Sequence, residues 1–217
     1  MSSKPPDAGM KLYTYFRSSA AFRVRIALNL KGLKPEQVFV HLRKKEQSAE
    51  EYRALNPQAL IPTLVHDGRV IGQSLAIIEY LDEIVPKPPL LPADPMGRAH
   101  VRQMAYAVAC EIHPLGNMRV QTYLRETLGQ GDAAVLAWQR HWIALGLAAI
   151  ESLAGPGRFC HGDAPTLADL CLIPQLANAR RAELDLAPYP KLLQIEQAAF
   201  ELPAFAGALP QNQPDAE

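Results

Sequence analysis

Apolar and polar positions follow two different rhythms in the two halves of this chain. Residues 11–15 alternate with the two-residue period of a strand. Ala21, Val24, Ala27 and Leu28 then fall on one helical face, and Lys31-Gly32 supplies a helix stop. Residues 37–41 suit a second strand. Ser48-Ala49-Glu50-Glu51 has the form of a capping box that opens a short helix to about Ala54. Ile61-Pro62-Thr63-Leu64-Val65 reads as a strand that starts on a proline. Asp67-Gly68 is a hairpin turn, and residues 69–72 return as its partner strand. Ser74 stands where it would cap a helix over 75–83, in which Leu75, Ile78 and Leu81 keep a helical period. The expected order is strand, helix, strand, helix, strand, strand, helix.

Residues 85–95 contain Pro86, Pro88, Pro89, Pro92 and Pro95. Neither a helix interior nor a central strand accommodates prolines at that density, so this stretch reads as a linker. Beyond it the strand rhythm stops. Helical patterns follow at about 96–110, 112–128, 132–153, 166–177 and 191–200, broken by Gly129-Gln130-Gly131 and Gly155-Pro156-Gly157. Thr166-Leu167-Ala168-Asp169 is a second capping box, with Asp in place of Glu. The expected organisation is an α/β domain over 10–84, the linker over 85–95 and an all-α domain over 96–210. Residues 1–9 and 211–217 read as flexible ends.

Composition narrows the function classes. The 217 residues suffice for two modest domains, and 48% of them are hydrophobic, enough for a core in each. Lys plus Arg equals Asp plus Glu at 22 each, which gives no basic excess to recruit nucleic acid or an acidic membrane. Cys110, Cys160 and Cys171 are scattered and odd in number, which suits a reducing cytoplasm and gives neither a disulfide framework nor a metal site. The first nine residues have no apolar run of the kind a signal peptide needs, and no stretch approaches the roughly 20 apolar residues of a membrane span.

The chemistry concentrates at the start of the first helix, in Tyr15-Phe16-Arg17-Ser18-Ser19. One serine suffices as an N-cap. A hydroxyl there also sits at the positive end of the helix dipole, where anions bind, and Arg17 adds a fixed charge. A thiolate or a carboxylate fits such a place. Residue types alone do not separate Ser18 from Ser19.

The motifs resemble those of the zeta-class glutathione transferases. They are Tyr15-Phe16-Arg17-Ser18-Ser19 with Arg23-Val24-Arg25-Ile26-Ala27-Leu28, Leu55-Asn56-Pro57, Ile61-Pro62-Thr63-Leu64 and residues 73–81 (Gln73-Ser74-Leu75-Ala76-Ile77-Ile78-Glu79-Tyr80-Leu81). Residues 166–172, Pro174-Gln175 and Pro188-Tyr189-Pro190 continue the match, which runs from about 11 to 203. Ala20 stands where the family signature often has Cys, and Phe22 where it has Trp or His; both serines are in place. The resemblance implies a thioredoxin-like N-terminal domain followed by a helical domain, the glutathione transferase fold, with glutathione as cofactor. It implies a homodimer and a glutathione-dependent cis–trans isomerase of small dicarboxylates: maleylacetoacetate to fumarylacetoacetate, by thiolate addition, bond rotation and elimination. Maleylpyruvate isomerisation and general transfer of glutathione to small electrophiles are the alternatives within the family; a non-catalytic binding module of the same fold is the alternative outside it.

By the same resemblance Ser18, or Ser19, activates the thiol with help from Arg17. Gln47, Ile61, the cis-proline Pro62, Gln73 and Ser74 hold the rest of glutathione, joined from the helical domain by His113 and Asn117. Arg17, His113, Arg119 and Arg181 bind the substrate, whose carboxylates suit guanidinium. Read without the resemblance, Ser18 and Ser74 are helix caps, Pro62 marks a strand edge, Gln47 and the arginines are solvated, and His113 is structural.

Overall fold

Met10, Leu12 and Thr14 are buried in strand β1 (Met10–Thr14), while Lys11 between them is exposed, so the alternation seen along the chain becomes the two faces of a strand. The computed structural model describes residues 5–217. β1 is central in a four-stranded sheet of order β2-β1-β3-β4. β2 (Glu36–Phe39) runs parallel to β1, and β3 (Thr63–His66) runs antiparallel to it. β4 (Arg69–Gly72) pairs antiparallel with β3 across Asp67-Gly68, which take φ of 47° and 76° as a primed hairpin turn requires.

Three strands differ in their limits from the expectation, β1 by one residue at each end. β2 ends at Phe39, two residues short of His41, and its last bond to β1 runs from the Val40 N–H to the Thr14 carbonyl at 2.9 Å. β3 begins at Thr63 rather than Ile61, since Pro62 has no N–H for the ladder.

Helix α1 (Ser19–Lys31) is buried on nearly every side, so it is a core helix rather than an amphipathic one. Gly32 closes it at φ 67°, the left-handed conformation that glycine adopts without steric cost. Helix α2 (Glu50–Leu55) departs from the expected capping box. Ser48 is taken up in a 3-10 turn over Glu46–Ser48, and the capping position falls to Ala49, which has no side-chain acceptor. Helix α3 (Ser74–Ile84) begins on its expected cap, one residue earlier than the sequence suggests. Gln73 takes the capping position at φ 66°, and Ser74 is the first helical residue.

The chain divides into two units by packing. One comprises Met1–Pro89 with Leu202–Glu217, the other Leu90–Glu201. The expected helical domain ran to 210 with 211–217 loose. Instead the last sixteen residues belong with the sheet: Asn29 donates to the Ala204 carbonyl at 2.9 Å, and Asp215 accepts the Phe16 N–H at 2.9 Å. Residues 202–209 are apolar and bury Phe205 and Ala208 completely, whereas residues 210–217 are polar, and that polar end hides the return of the chain to the sheet.

Among the described residues no strand follows Gly72. The second unit contains α4 (Pro95–Tyr106), α5 (Met118–Thr122), α6 (Asp132–Leu153), α7 (Leu167–Arg181) and α8 (Pro190–Phe200); α9 (Pro203–Ala206) lies in the returning tail. Asp94 caps α4 by accepting the Gly97 N–H at 2.7 Å, with Pro95 at the first helical position. Of the two helices expected over 96–128, the first forms without a break, and the second starts late, at Met118, and runs on from α5 into a π-helical segment Tyr123–Thr127. α4 widens into a π-helical segment Ala107–Ile112, and Pro114–Gly116 forms a 3-10 turn, as a proline without an N–H requires. α6 is long and apolar enough, by length and composition alone, to cross a membrane, which the sequence reading did not anticipate. It packs in the helical unit with Val135, Ile143, Leu147 and Ile150 buried, and its Arg140 pairs with Glu183 at 2.9 Å.

The second capping box forms as the sequence suggests. Asp169 is fully buried and accepts from the Thr166 N–H at 2.7 Å, the Thr166 hydroxyl at 2.8 Å and the Cys160 N–H at 2.7 Å. Burial raises its pKa against these donors. Asp169→Ala leaves two buried N–H groups without their acceptor. It should cost about 3 kcal/mol of stability, read as a lower denaturant midpoint at unchanged slope; a loss under about 1 kcal/mol would show that the carboxylate does not hold this loop.

Candidate active site

All four strands deliver their candidate residues to the same end of the sheet. Thr14 pairs with Phe39, Tyr13 with Thr63, and Thr63 with Gly72. The segments leaving that end therefore carry Arg17-Ser18-Ser19 after β1, Gln47 after β2, Ile61-Pro62 before β3 and Gln73-Ser74 after β4. Ligands of open α/β sheets gather at such an end.

Ser18 is the N-cap of α1. Its Oγ accepts the Ala21 N–H at 3.2 Å, and its own N–H donates to the Tyr15 carbonyl at 3.0 Å. A serine hydroxyl has one proton and two lone pairs, so the cap uses a lone pair and leaves the proton to donate. Ser18 and Arg17 are half-buried at the helix tip, whereas Ser19 is 6% exposed within the helix. Structural cap and thiol donor are thus compatible roles for one side chain.

The Ile61-Pro62 bond is cis. The turn before it is locked from α2 and its C-cap. Tyr52 Oη donates to the Leu60 carbonyl at 2.7 Å, and Asn56 Nδ2 donates to the same carbonyl and to Thr63 Oγ1, both at 2.9 Å. Ile61 is buried with Tyr15, Phe16, Val40 and Tyr52, which seats the proline turn against the loop that leads to Ser18.

Ser74 is 6% exposed and accepts from Arg23 Nη1 at 3.2 Å, a contact that ties the start of α3 to α1. Gln73 Nε2 donates to Gln58 Oε1 at 2.8 Å. Gln47 Oε1 is buried and has no hydrogen-bond partner. A buried acceptor in that condition fits an amide or ammonium donor of a bound peptide, and glutathione carries both.

Sequence reasoning treated Arg23 and Arg25 only as members of a motif. Arg25 is 4% exposed and donates to Tyr15 O, Phe16 O, Thr14 Oγ1 and Ala208 O at 3.1–3.4 Å. Burial lowers its pKa to about 10, opposed by the charge of Asp215. Two arginines inside an otherwise apolar helix were the available signal.

In the helical unit, His113 is half-buried and follows the π-helical segment. Asn117 caps α5, accepting the Val120 N–H at 3.1 Å. Arg119 is exposed on α5. Arg180 forms a two-pronged pair with Glu196, both contacts at 2.5 Å, while Arg181 is exposed and bonded to Asn178 Oδ1. The adjacent arginines therefore differ: Arg180 braces α7 against α8, and Arg181 presents its guanidinium at the surface.

A small sheet with a cis-proline and a hydroxyl-bearing helix start, continued by an all-helical unit, defines a glutathione-binding class. Family models agree: residues 8–83 match the glutathione S-transferase N-terminal domain, and residues 143–197 match the C-terminal domain. A maleylpyruvate isomerase from Ralstonia sp. is 49% identical over 210 residues, covering 95% of this chain and 99% of that one. A holo structure of a maleylpyruvate isomerase described as a bacterial zeta-class enzyme superposes with a TM-score of 0.94 at 48% identity, covering 95% of this chain and 100% of that one. A maleylacetoacetate isomerase from Methylobacterium extorquens AM1, solved with malonate and glutathione bound, gives 0.92 at 43% identity, covering 95% and 99%. The chain belongs to the glutathione transferase family, within its zeta class.

Removing the cap isolates its structural share. Ser18→Ala should lower stability by about 1 kcal/mol in equilibrium urea unfolding; no change would mean that the Ala21 N–H is satisfied without the hydroxyl.

Proposed function

We propose that this chain is a glutathione-dependent cis–trans isomerase that converts maleylacetoacetate to fumarylacetoacetate, with maleylpyruvate as the alternative substrate. The observation that carries the reading is the convergence of Ser18, Ile61-Pro62, Gln47 and Ser74 at one end of the sheet, in a chain of this family. Bound glutathione supplies a thiolate that adds to the cis double bond and later leaves, so the bond is single long enough to rotate.

The residues of the chain favour the ionised thiol and hold the substrate. A free thiol has a pKa of about 8.5, so little of it is thiolate at neutral pH. The Ser18 proton, the amides at the start of α1 and the Arg17 charge all favour the anion. Ser18 is assigned this role over Ser19 because Ser19 is packed within the helix. The cis-proline turn presents the Ile61 backbone to an extended peptide. Ser74, at the N-terminus of α3, receives the γ-glutamyl carboxylate with Gln73 assisting, and Gln47 accepts from a peptide donor. From the helical unit, His113 and Asn117 are assigned to glutathione. Arg119 and Arg181, with Arg17, are assigned to the substrate carboxylates and to the charge that develops on its carbonyl oxygen. His113 also offers a proton donor there. The same reading makes the enzyme a cytoplasmic homodimer, and sedimentation as a monomer at micromolar concentration would count against that part.

Four outcomes test it. Isomerisation should require glutathione without consuming it; stoichiometric loss of free glutathione identifies a conjugating transferase instead. Side-by-side rates on maleylacetoacetate and maleylpyruvate rank the two substrates. Ser18→Ala should raise the pKa of bound thiol in ultraviolet titration and lower kcat about ten- to a hundredfold, the worth of one hydrogen bond to a charged group. A large effect of Ser19→Ala with little of Ser18→Ala would reverse the assignment. Arg181→Ala should raise KM for the dicarboxylate more than for glutathione.

A further inference from the structure

The three residues between β1 and Ser18 are held from two sides. From α1, Arg25 donates to the Tyr15 carbonyl at 3.3 Å and to the Phe16 carbonyl at 3.1 Å. From the C-terminal tail, Asp215 Oδ2 accepts the Phe16 N–H at 2.9 Å. The Tyr15 carbonyl also accepts the Ser18 N–H at 3.0 Å, so displacement of this loop is passed directly to the serine.

The tail is itself anchored where it makes this contact. Gln213 is 9% exposed and donates to the Gly207 and Leu209 carbonyls, each at 2.9 Å. Arg25 Nε donates to the Ala208 carbonyl at 3.2 Å, so one guanidinium clasps both the loop and the tail. Two residues on, Glu217 meets His41 Nε2 at 2.7 Å, and the Tyr15 ring lies 4.9 Å from Phe16 and 5.0 Å from His41.

The second oxygen of Asp215 is buried and has no hydrogen-bond partner. An unsatisfied carboxylate oxygen carries a desolvation penalty, which the Phe16 hydrogen bond and the nearby Arg25 charge offset. Its neighbour in charge is Arg25, whose positive form it favours. The group therefore serves the loop and the guanidinium together.

From this geometry we infer that Asp215 is a positioning residue for the thiol site: acting with Arg25, it fixes residues 15–17 and through them the direction of the Ser18 hydroxyl. The inference rests on Ser18 being the thiol donor. Asp215 acts through the loop and not on the reacting atoms. Its effect is geometric, because misplacing a reacting group by about 1 Å costs on the order of a hundredfold in rate.

Charge and geometry predict opposite signs, which makes the inference testable. The charges around the loop are Arg17, Arg25, Arg43, Asp215 and Glu217, with His41 and Lys44 beside Glu217. Deleting a carboxylate by itself favours a neighbouring thiolate and lowers the thiol pKa. Losing the aim of Ser18 raises it. Asp215→Ala should therefore raise the pKa of enzyme-bound glutathione in ultraviolet titration and lower kcat about tenfold, with KM for the dicarboxylate changed less than about twofold. Asp215→Asn keeps an acceptor for Phe16 without the charge and should recover kcat to within about threefold of wild type.

A thiol pKa that is unchanged or lowered in Asp215→Ala overturns the inference. So does an Asn variant as impaired as the Ala variant. If the Ala variant does not fold, Asp215→Glu carries the same test, since it keeps the carboxylate and moves it by one methylene; wild-type pKa and kcat in that variant overturn the inference. Ser18→Ala, titrated in parallel, separates the two levels. A shift in Ser18→Ala with none in Asp215→Ala defeats the positioning role alone, whereas no shift in Ser18→Ala defeats the assignment of Ser18 and this inference with it.

Discussion

A guanidinium taken out of water costs several kcal/mol unless its N–H groups find acceptors. Arg25, 4% exposed inside α1, donates to four oxygens. Two of them are the carbonyls of the loop that joins β1 to the helix, one is the hydroxyl of the last residue of β1, and one lies in the returning tail. The buried charge thus fixes the distance between the sheet, the helix start and the C-terminal segment. A leucine of similar volume would be less costly to bury, but it would leave those carbonyls without a donor. The loop conformation that presents Ser18 follows from this exchange of solvation for directional bonds.

Other buried polar groups do the same work at single turns. Asn56 and Tyr52 occupy the Leu60 carbonyl and the Thr63 hydroxyl, which fixes the approach to Pro62. Lys31, with its side chain out of solvent, reaches both Asp82 and the Pro88 carbonyl at 2.5 Å, and so ties the end of α1 to α3 and to the start of the linker. Asp169 organises the loop before α7 in the helical unit. In each case apolar burial supplies the bulk of the stability, and one satisfied polar side chain selects the backbone path.

The functional reading draws on an economy at the helix tip. A serine cap needs only the oxygen lone pair, so the requirement for a capped helix and the requirement for a proton donor fall on one atom without conflict. Ser74 shows the opposite case. The strand-to-helix corner at Gln73 places it inside the first turn, where Arg23 holds its hydroxyl. A serine before an apolar run is therefore an ambiguous signal until the corner geometry is known.

The sequence determined the division into an α/β part and a helical part, because strand and helix periods differ and five prolines separate them. It determined the hairpin at Asp67-Gly68, the stop at Gly32 and the capping box at Thr166 and Asp169, which rest on contacts within four residues. It also supplied the residues at the sheet end, since each follows or precedes a strand. It did not reveal that Ser48 would be consumed by a 3-10 turn or that residues 202–217 would return to the sheet. Nor did it reveal Arg25 and Asp215 as partners of one loop. Those outcomes depend on hydrogen bonds between residues about 10 to 200 positions apart, or on which of several local caps a packed corner accepts. Local periodicity records which face of an element is buried. Only the folded chain decides which buried polar groups meet there.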